Sequence, residues 1–144
     1  MRDRSPRSRL AAAALALMTL AACMRTGPPP IARGTRCDAC GMEIQNLRFA
    51  CERTVRGAWR RYDAIECLLR DMRQAPGQAA YLADYDEARL APAESLWVVK
   101  GDVPSPMGGG YAAFVARGSA DSIAAATHGR VARLADFANE EPTP

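Results

Sequence analysis

The sequence predicts an α+β domain made of two similar ββαβ units. In each half of the chain, two strand candidates are followed by a helical segment and then by a third strand. A short echo relates the two halves, because LADY at 82–85 matches LADF at 134–137 on the same predicted element. We interpret the repeated order and the echo as an internal duplication with a period of about 52 residues.

The N-terminal residues 1–22 have the features of a cleaved export signal. MRDRSPRSR carries four arginines, and the apolar run that follows, residues 10–22, is shorter than the roughly 18 residues that a membrane-spanning helix needs. Leu20-Ala21-Ala22-Cys23 resembles the lipobox of bacterial lipoprotein signals, and an ordinary signal peptide or signal anchor is the alternative. The lipobox implies that Cys23 is lipidated and anchors the protein to a bacterial membrane on the periplasmic side, with the outer membrane as the expected location.

The anchor cysteine and a tether rich in proline and glycine occupy residues 23–36. The whole chain has 19 basic and 16 acidic side chains, and residues 1–22 contain four arginines and one aspartate, so the remainder has 15 of each sign. A neutral mature chain gives no reason to expect a basic face for nucleic acid. We therefore expect no nucleic-acid partner.

The first unit is predicted to span residues 37–90 and the second residues 91–139, followed by a polar tail at 140–144. In the first unit, the patterns predict strands at 47–55, 58–62 and 80–85 and a helix over 63–74. In the second unit, they predict strands at 96–100, 111–116 and 130–137 and a helix over 120–127.

Four cysteines follow Cys23, namely Cys37, Cys40, Cys51 and Cys67. The stretch CDACGMEI at 37–44 is compatible with a redox pair, half of a zinc site or the sulfur ligands of a copper site. Because disulfides form outside the cytoplasm, an even number of thiols also permits structural pairing.

The helix predicted over 63–74 gives Cys67 a defined position. Asp63 and Glu66 fit a capping box, and the expected apolar stripe comprises Ile65, Leu68, Leu69 and Met72. Cys67 lies off this stripe, on the side of Asp63, which favours a thiolate ligand near the helix start. A semi-exposed structural cysteine, or a disulfide with Cys51, is the alternative.

The loop VPSPMGGGY at 103–111 places Met107 between a proline and three glycines. A turn of this composition has little core around it, so the thioether is available to a metal held by other residues. A methionine that folds back onto the domain is the alternative. Four thiols and several thioethers suit Cu(I), whereas a second CxxC or an HxxxH, as expected for zinc, is absent from the sequence.

CDACGM, YDAIEC, YLADY and SPMGGGYAAF, in this order on a lipoprotein of this size, resemble the NosL family of copper-binding lipoproteins. The resemblance spans residues 37 to about 137. It implies a non-enzymatic Cu(I) chaperone that supplies nitrous oxide reductase or a related copper enzyme, with an ABC-type membrane complex as relay partner. It also implies a fold of two ββαβ units.

The resemblance further implies copper ligands at Cys67 and Met107, with an acidic group at Asp63. The N-terminal group that matches the family's CxxCGM motif consists of Cys37, Cys40 and Met42. Ala64 stands where relatives often carry a second acid. His128 is therefore a candidate substitute ligand, and a residue that merely ends a helix is the alternative.

Two other functions compete with the copper hypothesis. The first is a thiol-disulfide oxidoreductase that uses Cys37 and Cys40, although its CxxC follows a tether and does not join a strand to a helix. The second is a structural lipoprotein with two disulfides and no ligand.

Overall fold

The computed structural model describes residues 27–75 and 77–140. The predicted signal peptide, the anchor Cys23 and all of the polar tail except Glu140 lie outside the described residues. Within the described part of the chain, no helix has both the length and the apolar composition needed to cross a bilayer.

Seven strands and three α-helices make up the described fold. The strands are β1 (Cys51–Val55), β2 (Ala58–Tyr62), β3 (Ala80–Ala83), β4 (Leu90–Pro92), β5 (Trp97–Lys100), β6 (Tyr111–Phe114) and β7 (Arg130–Ala132). The helices are α1 (Ile65–Gln74), α2 (Arg117–Ala126) and α3 (Leu134–Ala138). Short 3-10 turns at Leu47–Phe49 and Ala93–Ser95 precede β1 and β5.

The two predicted units have the same topology. The first forms an antiparallel sheet in the order β2-β1-β3, extended by β4, and the second forms a sheet in the order β6-β5-β7. In both units the helix follows the hairpin and precedes the third strand. The predicted α+β fold of two ββαβ units is thus confirmed. The strand β4 spans the predicted boundary between residues 90 and 91 and pairs with β3.

The β1–β2 hairpin is tight because two residues adopt the left-handed conformation. Arg56 and Gly57 have φ values of 51° and 81°, and Val55 pairs directly with Ala58. Turns with positive φ at both central residues match the twist of the flanking strands. This turn fixes the register that brings the end of β2 to the start of α1.

The prediction of a last strand over 130–137 is wrong beyond Ala132. Residues Leu134–Ala138 form α3, in which Leu134 and Phe137 are both buried. A strand would place these two residues on opposite faces, whereas a helix places them on one face. The Asp136 carboxylate also accepts a hydrogen bond from the Arg133 backbone N–H (3.0 Å), which favours a helical start.

The echo between LADY and LADF therefore does not fall on equivalent elements. LADY ends β3, and the Asp84 carboxylate stops the strand by accepting backbone N–H groups from Glu87 (3.0 Å) and Val115 (2.8 Å). LADF lies in α3 instead. The duplication is visible in the topology, not in this short match.

Other boundaries shift by a few residues. The predicted strand over 47–55 begins with a 3-10 turn and becomes extended only at Cys51, and the predicted strand over 111–116 ends at Phe114. The helix predicted over 63–74 starts at Ile65, and the one predicted over 120–127 spans 117–126.

One hydrophobic core joins the two units. It contains Ile65 and Leu68 from α1 together with Leu96, Val98 and Phe137 from the second half. All five side chains are at most 2% exposed. Because the units share these contacts, the cysteine-bearing helix is held against the second sheet.

Glu52 is a fully buried acid on β1. Neither of its carboxylate oxygens has a hydrogen-bond partner among the described residues, and the nearest cation is Arg61, with Nε 3.5 Å from Oε2. Burial raises the pKa of Glu52 from 4.5 to about 7, against the opposing charge of Arg61.

We expect Glu52 to make the domain less stable as the pH rises. The folded state holds the Glu52 proton up to about pH 7, whereas the unfolded chain loses it near 4.5, so the contribution is complete below 4.5 and is lost as the pH rises through 7. The difference in unfolding free energy between Glu52→Gln and the parent should therefore change with pH. It should shift in favour of the variant by about 1–3 kcal/mol from acidic to mildly alkaline pH. Urea unfolding across this range measures it, with the exposed Glu94→Gln as control. A difference between parent and Glu52→Gln that is independent of pH would contradict the expectation.

Candidate metal site

Four potential metal ligands lie together between the N-terminal loop and the start of α1. The ligand atoms of Cys37, Cys40, Asp63 and Cys67 all lie within 4.8 Å of one another. Cys37, Asp63 and Cys67 are at most 3% exposed, and Cys40 is half-buried. We call these four residues the cysteine cluster.

The CxxC motif is held in a closed loop. An isolated bridge pairs Arg36 with Glu43, the Cys37 N–H donates to the Met42 carbonyl (2.8 Å), and the Gly41 N–H donates to the Cys37 carbonyl (2.9 Å). Gly41 has φ 76°, a conformation that strongly favours glycine. The glycine of CxxCG therefore shapes the turn that directs both cysteines to one side.

The loop is docked on the end of β2 through Asp38. The Asp38 N–H donates to the Arg61 carbonyl (2.8 Å), and its carboxylate accepts the Arg61 N–H (2.6 Å). Asp63 lies two residues after Arg61, where the chain leaves β2 for α1. Docking the loop at this point brings Cys37 and Cys40 to Asp63 and to the first turn of α1.

The predicted capping box at the start of α1 is wrong. The N-cap residue is Ala64, which has no side chain to cap the helix. The Asp63 carboxylate accepts a hydrogen bond from the Cys40 thiol instead (Sγ to Oδ1 3.6 Å). The Glu66 carboxylate accepts the backbone N–H of Gly109 (2.8 Å) and the hydroxyl of Ser105. Both acids are thus used for tertiary contacts.

Cys67 is buried even though it lies off the predicted apolar stripe. Its exposure is 1%, and its sulfur lies within 4.8 Å of the Cys37 and Cys40 sulfurs of the N-terminal loop. The loop covers the side of the helix that the sequence pattern left open. The prediction that Cys67 lies off the apolar stripe is therefore correct. The alternative of a semi-exposed structural cysteine is wrong, because Cys67 is buried.

The cluster thiols differ in acidity. A hydrogen bond from Cys67 lowers the pKa of Cys37 to about 6, against the opposing effect of burial. The same hydrogen bond, together with burial and the hydrogen bond to Asp63, raises the pKa of Cys67, and burial raises that of Cys40. Cys37 is thus the most acidic thiol of the cluster, and binding of a metal ion through the other thiols would displace their protons.

The two candidate methionines are accessible to solvent. Met42 is 51% exposed and Met107 is 37% exposed. Met42 belongs to the same loop as the CxxC, and the Met107 loop is joined to the first turn of α1 through Glu66. Both thioethers are therefore on segments that contact the cysteine cluster or its helix.

The remaining candidates are not members of the cysteine cluster. Cys51 is fully buried, and its thiol donates to the Phe49 carbonyl (3.2 Å). Burial, helped by the nearby acids, raises the pKa of Cys51 well above its usual value. His128 is exposed at the end of α2 with φ 50° and is not part of the cluster found in the described chain. The four described cysteines are free thiols, so the predicted alternative of a Cys51–Cys67 disulfide is not present.

Sequence reasoning missed two residues at the site. Glu66 was interpreted as a capping residue, although it binds the Met107 loop. Arg70 has no role in the sequence-based prediction, and its guanidinium donates to the Cys67 sulfur (3.7 Å). The spacing of three residues between Cys67 and Arg70 is the one signal that could have suggested this contact.

The fold and the cluster define a class of protein: a small α+β domain of two ββαβ units with a largely buried site of three thiols and one carboxylate. Soft metal ions prefer such sulfur-rich sites. The chain belongs to the NosL family, whose family model matches residues 28–142. The predicted membership is thus confirmed.

A solved structure supports the same fold. The crystal structure of the copper chaperone NosL from Shewanella denitrificans superposes with a TM-score of 0.69 at 15% sequence identity. The alignment covers 78% of the present chain and 96% of that chain. No protein in the curated collection matches the sequence significantly.

Proposed function

We propose that this protein is a membrane-anchored Cu(I) chaperone and not an enzyme. The observation that carries the proposal is the convergence of Cys37, Cys40, Asp63 and Cys67 within 4.8 Å. Thiolates select Cu(I), and the exposed Met42 and Met107 add neutral thioethers on neighbouring segments. Membership of the NosL family and the fold shared with a copper chaperone support it.

The geometry suits transfer of the ion by ligand exchange. Cys37 and Cys67 are buried and would hold the ion away from solvent, whereas Cys40 is half-buried and Met107 is exposed. An incoming thiol or thioether from a partner would first displace the exposed groups. Reprotonation of Cys67, whose pKa is raised by its hydrogen bonds and by burial, would then favour release.

The recipient that we propose is nitrous oxide reductase or a related copper enzyme, with an ABC-type membrane complex as relay partner. We also propose that the lipidated Cys23 anchors the domain on the periplasmic side, with the outer membrane as the expected location. Residues 24–36 separate the proposed anchor from the cluster, and the end of this segment is hydrogen-bonded to the domain (Gly34 N–H to the Ile44 carbonyl, 3.0 Å). The anchor would therefore keep the site near the membrane.

Delivery can be tested in a denitrifying bacterium that lacks its own NosL. The parent gene should restore copper to nitrous oxide reductase, whereas Cys67→Ser should not, because it removes a buried ligand. Cys23→Ser should release the protein from the membrane fraction and lower the copper content of the enzyme. Equal copper content with and without the gene would contradict the proposed recipient.

The thiol-disulfide oxidoreductase remains the alternative function. The CxxC lies in a loop ahead of β1 that docks on β2, unlike the strand–helix junction of thioredoxin-like redox motifs. A disulfide between Cys37 and Cys40 would also remove two of the three clustered thiols. Catalytic reduction of insulin by the reduced domain would favour this alternative.

A further inference from the structure

We infer that Glu66 is a positioning residue that fixes the Met107 loop to the helix carrying Cys67, so that thioether and thiolate meet the same metal ion. The inference rests on the proposed function and deepens it. It concerns a residue that is neither a cluster member nor a candidate ligand.

The Met107 loop, residues 103–111, is hydrogen-bonded to a single carboxylate oxygen of α1. Glu66 Oε1 accepts the Gly109 N–H at 2.8 Å and the Ser105 hydroxyl. The Ser105 hydroxyl in turn accepts the Gly110 N–H at 3.0 Å. In the described part of the chain, the two hydrogen bonds to Glu66 Oε1 are those that join the loop to α1. Removing the Glu66 carboxylate therefore removes the hydrogen bonds between the loop and the helix.

The contact depends on a close approach between Gly109 and the Glu66 side chain. A Cβ on Gly109 would lie 2.8 Å from both Cγ and Oε1 of Glu66, which is closer than ordinary van der Waals contact. Within the loop, Ser105 is 9% exposed, whereas Met107 is 37% exposed. The loop is thus anchored from the inside and presents its thioether at the outside.

The free oxygen of Glu66 indicates that the carboxylate has a role beyond the fold. Oε2 is buried and has no hydrogen-bond partner among the described residues. A buried polar atom without a partner costs about 1–3 kcal/mol, and such atoms in native proteins call for an explanation. Since Glu66 directly precedes Cys67, holding the loop here keeps Met107 in a fixed relation to the cluster.

A double-mutant cycle on Cu(I) affinity tests the inference. Loss of an outer residue that orients a ligand typically weakens metal binding about 10- to 100-fold, and we expect Glu66→Ala to fall in that range. In a Met107→Leu background, Glu66→Ala should have little further effect, because the ligand that it positions is already gone. Glu66→Gln keeps an accepting oxygen and should restore most of the affinity.

Gly109→Ala should reproduce the loss of Cu(I) affinity while leaving the Glu66 residue itself unchanged, because the added Cβ crowds the Glu66 side chain. Gly118→Ala is the matched control, because a Cβ there meets nothing within 4 Å. The ε-methyl NMR signal of Met107 in the metal-free protein gives a second readout. It should sharpen in Glu66→Ala and remain unchanged in Glu66→Gln. Both readouts are measured on variants shown to be folded by thermal unfolding.

Additive losses in the cycle, or an unchanged Met107 signal in Glu66→Ala, would overturn the positioning role. Cu(I) binding that is lost in Cys67→Ser but indifferent to Glu66→Ala would overturn it while leaving the proposed function intact. A parent domain that binds no Cu(I) would overturn the proposed function, and with it the role of Glu66 in metal binding.

Discussion

Cys67→Ser is expected to weaken Cu(I) binding by at least about 100-fold, since residues that merely orient a ligand already cost 10- to 100-fold. Cys67 is 1% exposed, and its sulfur lies within 4.8 Å of two other thiols and a carboxylate. A serine oxygen is a poor ligand for Cu(I) and cannot replace the thiolate. Combined with Met107→Ala, the change should remove most stoichiometric binding.

Cys51→Ala is the matched control for this prediction. Cys51 is also a buried thiol, but its sulfur donates to the Phe49 carbonyl and is not part of the cluster. Titration of the reduced domain against a chromophoric Cu(I) chelator measures both variants. Unchanged affinity in the Cys67→Ser, Met107→Ala variant would refute the assignment of these two ligands.

Asp71→Ala is expected to cause the largest loss of stability, about 3–5 kcal/mol, because it leaves the buried guanidinium of Arg53 without its partner. The Asp71 carboxylate binds Arg53 (Nε to Oδ2 2.9 Å), Arg60 (Nη1 to Oδ1 2.7 Å) and the Tyr62 hydroxyl (2.6 Å). Asp71 and Arg53 are only 3% and 2% exposed. The network ties β1 and β2 to α1.

The pH dependence of this network has a defined sign. Burial raises the pKa of Asp71, but hydrogen bonds from Tyr62 and Arg53 and the charges of Arg53 and Arg60 outweigh it, so the pKa is lowered from 3.8. The stabilisation is therefore present above 3.8 and is lost as the pH falls through the lowered pKa. Denaturant unfolding of parent and variant at neutral and strongly acidic pH measures it.

Asp121→Ala is the control for Asp71. Asp121 forms an exposed pair with Arg117 at the (i, i+4) spacing (2.8 Å), and both side chains are 52% exposed. Exposed pairs of this kind contribute about 0.3–0.5 kcal/mol. If the two variants lost similar amounts of stability, the buried network would not have the importance that we assign to it.

The sequence predicted the fold where local patterns and tertiary packing agree. The hairpin around Arg56-Gly57, the apolar stripe of α1 and the order of strands and helices are visible in the residues themselves. It failed at LADF, because the shared letters LAD lie at the end of a strand in one unit and in α3 in the other. There, the burial of Phe137 against Tyr111 of β6 decides the conformation.

At the site, motif order predicted the residue types but not the contacts. Cys37, Cys40, Asp63 and Cys67 were all candidates, and the structure brings these four together. The role of Glu66 could not be predicted, because its partners Ser105 and Gly109 lie 39 and 43 residues away. An acidic residue at this spacing fits a capping box, and the same residue can instead make a tertiary contact. Only the fold distinguishes the two roles.

We propose that the cysteine cluster binds one Cu(I) through sulfur. X-ray absorption spectroscopy of the reduced domain loaded with one equivalent of Cu(I) tests it most directly. We expect a first shell dominated by sulfur that loses sulfur in Cys67→Ser and is unchanged in Cys51→Ala. A shell of oxygen or nitrogen, or a sulfur shell unaffected by Cys67→Ser, would contradict the claim.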